Sequence, residues 1–152
     1  MSETSKELSP PIREFMTTHP YMIQSDESVS AAEKLMFAHH VRHLPVLDGK
    51  KIIGVISDRD IGLARATYRG RAFDGQVPVK DICLFDSNTF DESEPTDVVA
   101  RTMAKHRIDA VVITSHGKPV GIFTATDACR QLADLYEKRQ REQGILSKLF
   151  GI

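Results

Sequence analysis

The sequence predicts an α/β fold in which one βαββα unit occurs twice. A motif of glycine, two apolar residues, a hydroxyl residue, two variable residues and aspartate occupies positions 54–60 (Gly-Val-Ile-Ser-Asp-Arg-Asp). It recurs 67 residues later, at positions 121–127 (Gly-Ile-Phe-Thr-Ala-Thr-Asp). The same shift superposes Met36 on Met103 without a gap. Because a unit of about 65 residues buries little apolar surface alone, we expect the two copies to share one core.

The repeat divides the chain into five segments. We predict a flexible lead that ends at Pro10-Pro11, two copies joined by a linker that contains glycine, and a helical extension with an apolar tail. The predicted segments are 1–11 (lead), 12–67 (first copy), 68–76 (linker), 77–135 (second copy) and 136–152 (extension).

Each element of the first copy has a local signal. Ser28 is a residue type that caps helices, and apolar residues follow it at helical spacing. Asp48-Gly49 separates two apolar runs, which is typical of a hairpin turn. The predicted elements are a brief strand (20–24), a helix (28–39), two strands (44–47 and 52–56) and a helix after Ser57.

The second copy repeats this order and then extends it. Its first helix has Pro95 in the predicted first turn, and its strands are predicted at 110–114 and 119–123. The last helix is predicted from 125 to about 143, because Gly144 is a typical C-cap residue. The apolar tail beyond Gly144 is expected to dock on the protein or on a partner.

Each motif combines a hydroxyl residue at the end of a strand with an aspartate in the first turn of the next helix. Free N–H groups at a helix N-terminus attract anions such as phosphate, and a carboxylate suits the two hydroxyls of a ribose. Plain helix capping explains the same residues, since Ser or Thr as N-cap followed by an acid stabilises a helix start. The occurrence of two copies in register favours ligand binding.

Composition and charge exclude several other classes of function. The formal net charge of −1 does not indicate binding to nucleic acid or to a membrane surface, and no apolar run is long enough to span a bilayer. Cys83 and Cys129 lack the spacing of metal ligands or a redox pair, so we expect buried or half-buried free thiols in a reducing cytoplasm. His39, His40 and His43 point in different directions, so no metal site is predicted.

These motifs together resemble a tandem of cystathionine-beta-synthase domains, known as a CBS pair or Bateman module. The resemblance covers about residues 12–135. It rests on positions 16–17, 32, 36, 41–46 and 54–60 in the first copy, and on 108–112 and 121–127 in the second.

The resemblance implies that the two βαββα copies pack with pseudo-twofold symmetry and form a homodimer. It also implies two clefts for an adenosyl ligand such as AMP, ADP or ATP, with NAD and S-adenosylmethionine as further candidates. The aspartate would bind ribose, the hydroxyl residue would bind phosphate, and main chain at the short first strand would frame adenine. These roles fall on Met22, Ile23, Ser57 and Asp60 in one copy and on Thr89, Phe90, Thr124 and Asp127 in the other.

The two clefts are not equivalent in charge. Arg42, His43 and Arg59 in the first copy could bind a chain of phosphates. The matching residues of the second copy are Asp109, Ala110 and Thr126. We therefore expect the first cleft to prefer charged nucleotides. The second, with Thr126, should bind them less well, take a less charged ligand or stay empty.

The predicted function is that of a regulatory sensor of adenine nucleotides. No nucleophile with an activating base is evident, so the chain is not expected to be an enzyme. No attached catalytic or transport domain is evident either, so the signal is expected to pass to a separate effector protein. The alternative is a dimeric scaffold with vestigial clefts and a C-terminal tail that binds a partner.

Overall fold

The computed structural model describes residues 9–68, 73, 75–83 and 89–151. Most of the predicted linker and all of residues 1–8 lie outside these ranges. The elements are β1 (Thr17–Thr18), β2 (Ile23–Gln24), α1 (Val29–His39), β3 (His43–Asp48), β4 (Lys51–Ser57), α2 (Asp58–Thr67), β5 (Thr89–Asp91), α3 (Thr96–His106), β6 (Ala110–Ser115), β7 (Lys118–Thr124) and α4 (Ala125–Phe150). The predicted α/β fold with two βαββα units is confirmed.

The strands form two small mixed sheets. One has the order β2-β3-β4 and the other has the order β1-β7-β6-β5. β2 is parallel to β3 and β5 is parallel to β6, and β3-β4 and β6-β7 each form an antiparallel hairpin. Both hairpins have a register irregularity at the same place, after Val46 in one and after Ile113 in the other. The repeat therefore extends to the details of strand pairing.

The start of each copy lies on the other copy. β1 belongs to the first copy in sequence, but it pairs with β7, with Thr17 opposite Ile122. The 3-10 turn Ile12–Glu14 precedes it, and Ile12 N–H donates to the carbonyl of Glu94 at 2.8 Å. The equivalent turn Val79–Asp81 lies against the first copy, where Val79 N–H donates to the carbonyl of Glu27 at 2.8 Å. The exchange is thus reciprocal.

The exchange produces two core clusters instead of the one shared core that we expected. The first cluster surrounds α1 and β3 and includes Val79 and Cys83 from the second copy. The second surrounds α3 and β6 and includes Ile12 from the first copy. Ile12 and Val79 have no exposed surface. Each copy closes its own core with side chains from the other, so the two cores depend on each other without merging.

The glycine of the second motif allows this exchange. Gly121 lies opposite Thr18 of β1, and the side chain of Met16 covers it. A Cβ atom at Gly121 would lie 2.3 Å from Met16 Sδ and 2.8 Å from Met16 Cγ. Any side chain at this position would therefore force the Met16 side chain to move.

The prediction that residues up to Pro11 form a flexible lead is wrong for residues 9–11. Pro95 is the N-cap of α3 and not a residue of its first turn, and its side chain cannot accept a hydrogen bond. Ser9 Oγ accepts from the Asp97 N–H at 3.1 Å, and the Pro10 carbonyl accepts from the Thr96 N–H at 2.9 Å. The lead therefore caps a helix of the other copy.

The prediction that the last helix ends near Gly144 is also wrong. α4 continues for 26 residues to Phe150, and Gly151 ends it in the left-handed conformation. A single glycine inside a helix costs only about 1 kcal/mol relative to alanine, and the residues after Gly144 are good helix formers. From residue 132 onward every residue of α4 is exposed. None of the helices in the described ranges is both long and apolar enough to cross a membrane.

The two cysteines differ in environment. Cys83 is buried in the first core cluster, and burial raises the pKa of its thiol to about 11. Cys129 is exposed on α4, contrary to the expectation that both thiols would be at least half-buried. It borders an open cavity between α3 and α4, which Met103 and Ala104 also line.

Candidate functional site

The two motifs form matching capping boxes at the starts of α2 and α4. The N–H and Oγ of Ser57 both donate to Asp60 Oδ2 at 2.8 Å, and the Asp60 N–H donates to Ser57 Oγ at 3.1 Å. In the second copy, the N–H and Oγ1 of Thr124 donate to Asp127 Oδ2 at 2.9 and 2.8 Å. The capping interpretation is therefore confirmed. The box uses only Oδ2 of each aspartate, so Oδ1 takes no part in capping.

Both capping boxes border a single cavity between the copies. Its volume is about 130 Å³, and its lining residues are Arg42, His43, Ser57, Asp58, Arg59, Asp109, Thr124, Ala125 and Thr126. Equivalent hydrogen bonds join strand to helix on its two sides, from Asp58 N–H to the Arg42 carbonyl and from Ala125 N–H to the Asp109 carbonyl. The repeat therefore directs the starts of α2 and α4 toward the same space.

Arg42 is held by the first residue of α2. Its Nε lies 2.8 Å from Asp58 Oδ2 and its Nη2 lies 3.5 Å from Asp58 Oδ1. The hydrogen bond from Arg42 lowers the pKa of Asp58, and the same bond raises the pKa of Arg42. Both side chains are substantially exposed, so the pair is weak and its guanidinium can exchange partners.

Arg59 connects the two copies. Its Nη1 lies 3.2 Å from Asp109 Oδ2, so an ion pair joins the first turn of α2 to the residue that precedes β6. Both side chains are more than half exposed. The cavity therefore holds two arginines, and each is paired with one aspartate that an incoming anion could replace.

His43 is less suited to bind phosphate as a cation than the sequence suggests. It begins β3 and is half-buried beside the cavity. Burial lowers the pKa of its imidazole, although Asp109 and Asp58 act in the opposite direction. At neutral pH the side chain is mainly uncharged, so it can donate or accept a hydrogen bond but adds little positive charge.

The outer oxygens of the two motif aspartates have different surroundings. Asp127 Oδ1 accepts a hydrogen bond from Arg130 Nη1 at 3.1 Å. In the first copy, Leu63 occupies the position of Arg130. Among the described residues, no side chain donates to Asp60 Oδ1. The first motif therefore offers an uncommitted carboxylate oxygen and the second does not.

The structure brings together only part of the predicted site. The predicted residues that line the cavity are Arg42, His43, Ser57, Arg59, Thr124 and Thr126. Asp60 and Asp127 lie next to it in the capping boxes. The residues expected to frame adenine lie elsewhere on the same sheets, and they are Met22, Ile23, Thr89 and Phe90.

The residues predicted to frame adenine could contact a ligand through their main chain, but two of the four side chains are committed to the cores. Ile23 is buried in the first core cluster, and Phe90 packs against the second. Met22 and Thr89 are exposed. β2 pairs with β3 and β5 pairs with β6, so both segments border the strands that lead to the cavity.

Sequence reasoning assigned no ligand-binding role to Asp58, Asp109 or Ala125. The acids matter because they hold the two arginines of the cavity. The sequence could have indicated both acids as site residues. Asp58 follows an N-cap residue, and Asp109 occupies the position equivalent to Arg42. The pairing of Arg59 with Asp109 could not be read from spacing, because it crosses between the copies.

Comparisons with known proteins agree with this architecture. The CBS domain family model matches residues 12–64 and 79–134. The L-aspartate semialdehyde sulfurtransferase of Methanocaldococcus jannaschii is 30% identical over 121 residues, which cover 78% of this chain and 22% of the relative. The CBS domain-containing protein YhcV of Bacillus subtilis is 29% identical over 116 residues, covering 76% and 81%. The matched part of this chain thus spans about a fifth of the sulfurtransferase.

Solved structures share the same fold. A putative acetoin utilization protein from Vibrio cholerae superposes with a TM-score of 0.74 at 25% identity, covering 88% of this chain and 98% of that one. A CBS domain pair in complex with 5-methylthioadenosine and S-adenosyl-L-methionine superposes with a TM-score of 0.71 at 28% identity, covering 82% and 96%. The two family matches, the two βαββα units and these structures together show that the chain belongs to the CBS domain family as a tandem pair.

Proposed function

We propose that this CBS pair is a regulatory module that binds an adenine nucleotide in the cavity between its copies. The observation that carries the proposal is the meeting of two helix N-termini and two exchangeable arginines, Arg42 and Arg59, at one cavity. Helix N-termini and guanidinium groups are both suited to bind phosphate. The adenosyl ligands of the related CBS pair support the nucleoside part of the assignment.

In the first site, the free oxygen of Asp60 would accept from the ribose hydroxyls. This contact leaves the capping box intact, because the box uses Oδ2 only. Ser57 and the start of α2 would face the first phosphate, and main chain at Met22 and Ile23 would frame adenine.

A chain of phosphates would compete with Asp58 and Asp109 for the arginines. Ion pairs between exposed side chains contribute little to stability, so their exchange for a phosphate costs little. Release of Arg59 from Asp109 would remove an ion pair between the copies. This exchange gives the ligand a direct means to change how the two copies are held together, by its differential affinity for the two arrangements.

The second site, with Thr124, Thr126 and Asp127, would bind a less charged adenosyl compound or bind more weakly. Thr126 replaces Arg59, and Arg130 already occupies the outer oxygen of Asp127. Thr89 and Phe90 would frame the adenine. We propose that AMP, ADP or ATP prefers the first site, and that NAD and S-adenosylmethionine are the competitors to test.

The proposed output is regulation without catalysis. The module would act as a homodimer in the cytoplasm and pass the state of its cavity to a separate effector protein. Incubation with ATP, followed by chromatography of the products, tests the absence of catalysis. Formation of ADP or AMP at a rate above that of the buffer alone would contradict it.

Thermal unfolding with AMP, ADP, ATP, NAD and S-adenosylmethionine tests ligand binding. A ligand at about a hundred times its Kd should raise the free energy of unfolding by about 2.7 kcal/mol, which is several degrees for a protein of this size. The absence of a shift with every adenosyl compound would contradict the proposal. Inorganic triphosphate serves as the control for simple anion binding.

Matched substitutions identify the site that binds. Asp60→Asn and Asp127→Asn each keep an oxygen for the capping box but remove the charge, so each variant is compared with its own ligand-free melting temperature. We expect Asp60→Asn to weaken ATP binding about tenfold or more, and Asp127→Asn to have a smaller effect. Equal behaviour of both variants and the wild type would refute the assignment. Thr126→Arg should strengthen ATP binding at the second site.

A second candidate function is that of a dimeric scaffold with vestigial clefts. The observation that favours it is the length of α4, whose residues from 132 onward are all exposed in the described chain. Under this alternative, Arg42→Gln and Asp60→Asn would leave every activity of the protein unchanged. Substitutions in α4 would then be the only ones with a functional effect.

A further inference from the structure

We propose that α4 pairs with α4 of a second copy as an antiparallel two-helix coiled coil, with the twofold axis between positions 140 and 141. The inference specifies the homodimer of the proposed function and rests on that dimer, but it does not depend on nucleotide binding. The observations that carry it are the exposure of α4, the spacing of its apolar residues and the placement of two charges.

The distal part of α4 lacks an intramolecular partner among the described residues. Residues 132–150 are all exposed, over a length of about 28 Å at about 1.5 Å per residue. The side chains of Leu132, Leu135, Leu146 and Leu149 are between 50% and 72% exposed. Most helical stability in proteins comes from packing of an apolar face, so the exposed leucines of this side favour a partner.

The four leucines of this segment follow a heptad repeat. Alternating steps of three and four residues lead from Leu132 and Leu135, through positions 139 and 142, to Leu146 and Leu149. Such spacing is typical of the contact positions of a coiled coil. An open groove of about 500 Å³ runs along this side, lined by Leu132, Leu135, Tyr136, Lys138, Arg139 and Glu142.

The two contact positions between the leucine pairs carry opposite charges. They are Arg139 and Glu142, and neither forms an ion pair with another described residue. An apolar stripe that would bind a uniformly apolar groove has no need of charges at its centre. A partner with the same two charges in reverse order would neutralise both.

A second copy of α4 in the antiparallel orientation is such a partner. The proposed axis places Leu132 opposite Leu149, Leu135 opposite Leu146, and Arg139 opposite Glu142. By symmetry each layer occurs twice, so the centre of the pair contains two Arg–Glu contacts between four outer leucine layers. In a parallel pair, Arg139 would face Arg139 and Glu142 would face Glu142, and like charges in direct opposition are destabilising.

The outward side of the helix agrees with this orientation. Gly144 falls on the side opposite the contact stripe, so its lack of a side chain removes nothing from the interface. Arg141 also lies outside the stripe, where it is 3.6 Å from Glu137 one turn earlier. The charges of the outer side therefore pair within one helix, whereas Arg139 and Glu142 would pair with a second helix.

Sedimentation or light scattering of the full-length protein, from roughly 1 to 100 μM, tests the pairing. The wild type should be a dimer. R139E and E142R should each raise the dimer Kd about tenfold or more, because each creates two like-charge contacts. The double variant R139E/E142R should restore the Kd to within about threefold, since it only reverses each contact. R141E, a matched change of charge on the outer side, should have no effect.

Each outcome decides the proposal. A wild-type monomer over the whole range overturns both this pairing and the dimer of the proposed function, and leaves the stripe to a different protein. A dimer that the single variants do not weaken, or that the double variant does not restore, overturns the α4 pairing alone. Nucleotide-induced thermal shifts measured on R139E separate a failure of the dimer from a failure of ligand binding.

Discussion

The two copies have the same fold but different charges at their motif ends. The first places Arg42, His43 and Arg59 around its motif, whereas Asp109 and Thr126 occupy positions of the second copy where the first has arginine. Both keep the capping box, which the backbone requires. The side chains that the box does not use have diverged. The shared residues thus maintain the helix starts, and we propose that ligand preference resides in the residues that differ.

A second difference concerns how each copy caps its first helix. Ser28 caps α1 locally, since its Oγ accepts from the Ala31 N–H at 3.1 Å. Pro95 occupies the same place before α3 and has no side-chain acceptor, so its carbonyl accepts from the Val98 N–H at 3.0 Å instead. The preceding N–H of each helix is satisfied from outside its copy, since the Gly75 carbonyl accepts from Ser30 and Ser9 Oγ accepts from Asp97.

The largest expected effect is the failure of a single copy to fold. A fragment of residues 12–67 should show no cooperative thermal transition by circular dichroism, because its core lacks Val79 and Cys83 and its Ile12 has no core to enter. A fragment of residues 20–83 contains the whole first cluster and should recover a transition. A cooperative transition in fragment 12–67 equal to that of the intact chain would contradict the exchange.

The next largest effect is expected from Gly121→Ala. The new methyl group overlaps Met16, so the free energy of unfolding should fall by about 1–3 kcal/mol in urea titrations. Met16→Ala in the same chain should reduce the additional cost, because it removes the atoms that clash. Gly62→Ala is the control, since a Cβ there meets no atom within 4 Å, and it should be neutral or stabilising. Equal effects at Gly62 and Gly121 would show that Met16 does not pack against Gly121.

The two helix caps give a smaller and matched effect. Ser28→Ala and Ser9→Ala should each lower the free energy of unfolding by about 1 kcal/mol, because each removes one acceptor from a helix N-terminus. Chemical denaturation measures both. A full effect at Ser28 with none at Ser9 would mean that the lead does not cap α3 in solution.

The smallest effect concerns the pH dependence that His43 confers on the first copy alone. Because burial lowers its pKa in the folded protein, the unfolded chain binds the proton more readily below about pH 6.5. Without nucleotide, the wild type should therefore lose more stability between about pH 7.5 and about pH 5.5 than His43→Gln does. Denaturation at both pH values measures the difference. A larger loss in the variant would reverse the sign and refute the burial argument.

Local sequence signals predicted most of the fold correctly. The hairpins, the helix starts and the repeat follow from Asp48-Gly49, from the two motifs and from apolar spacing, all of which act within a few residues. The end of α4 was not predictable in this way, because a single Gly144 resembles a cap but costs too little to stop a helix. Arg42 and Arg59 were predicted as candidate site residues and the structure places both at the cavity, but their pairing with Asp58 and Asp109 was not predicted.

The sequence by itself determined that there are two copies, that each has a capped helix after a glycine-containing strand, and that the first carries the cations. Only the tertiary structure decided that Ile12 and Val79 enter each other's cores, that Ser9 caps α3, and that Arg59 reaches Asp109. The reason is physical. Capping and strand alternation are interactions between neighbours in the chain, whereas the exchange depends on how two complete copies fit together in space.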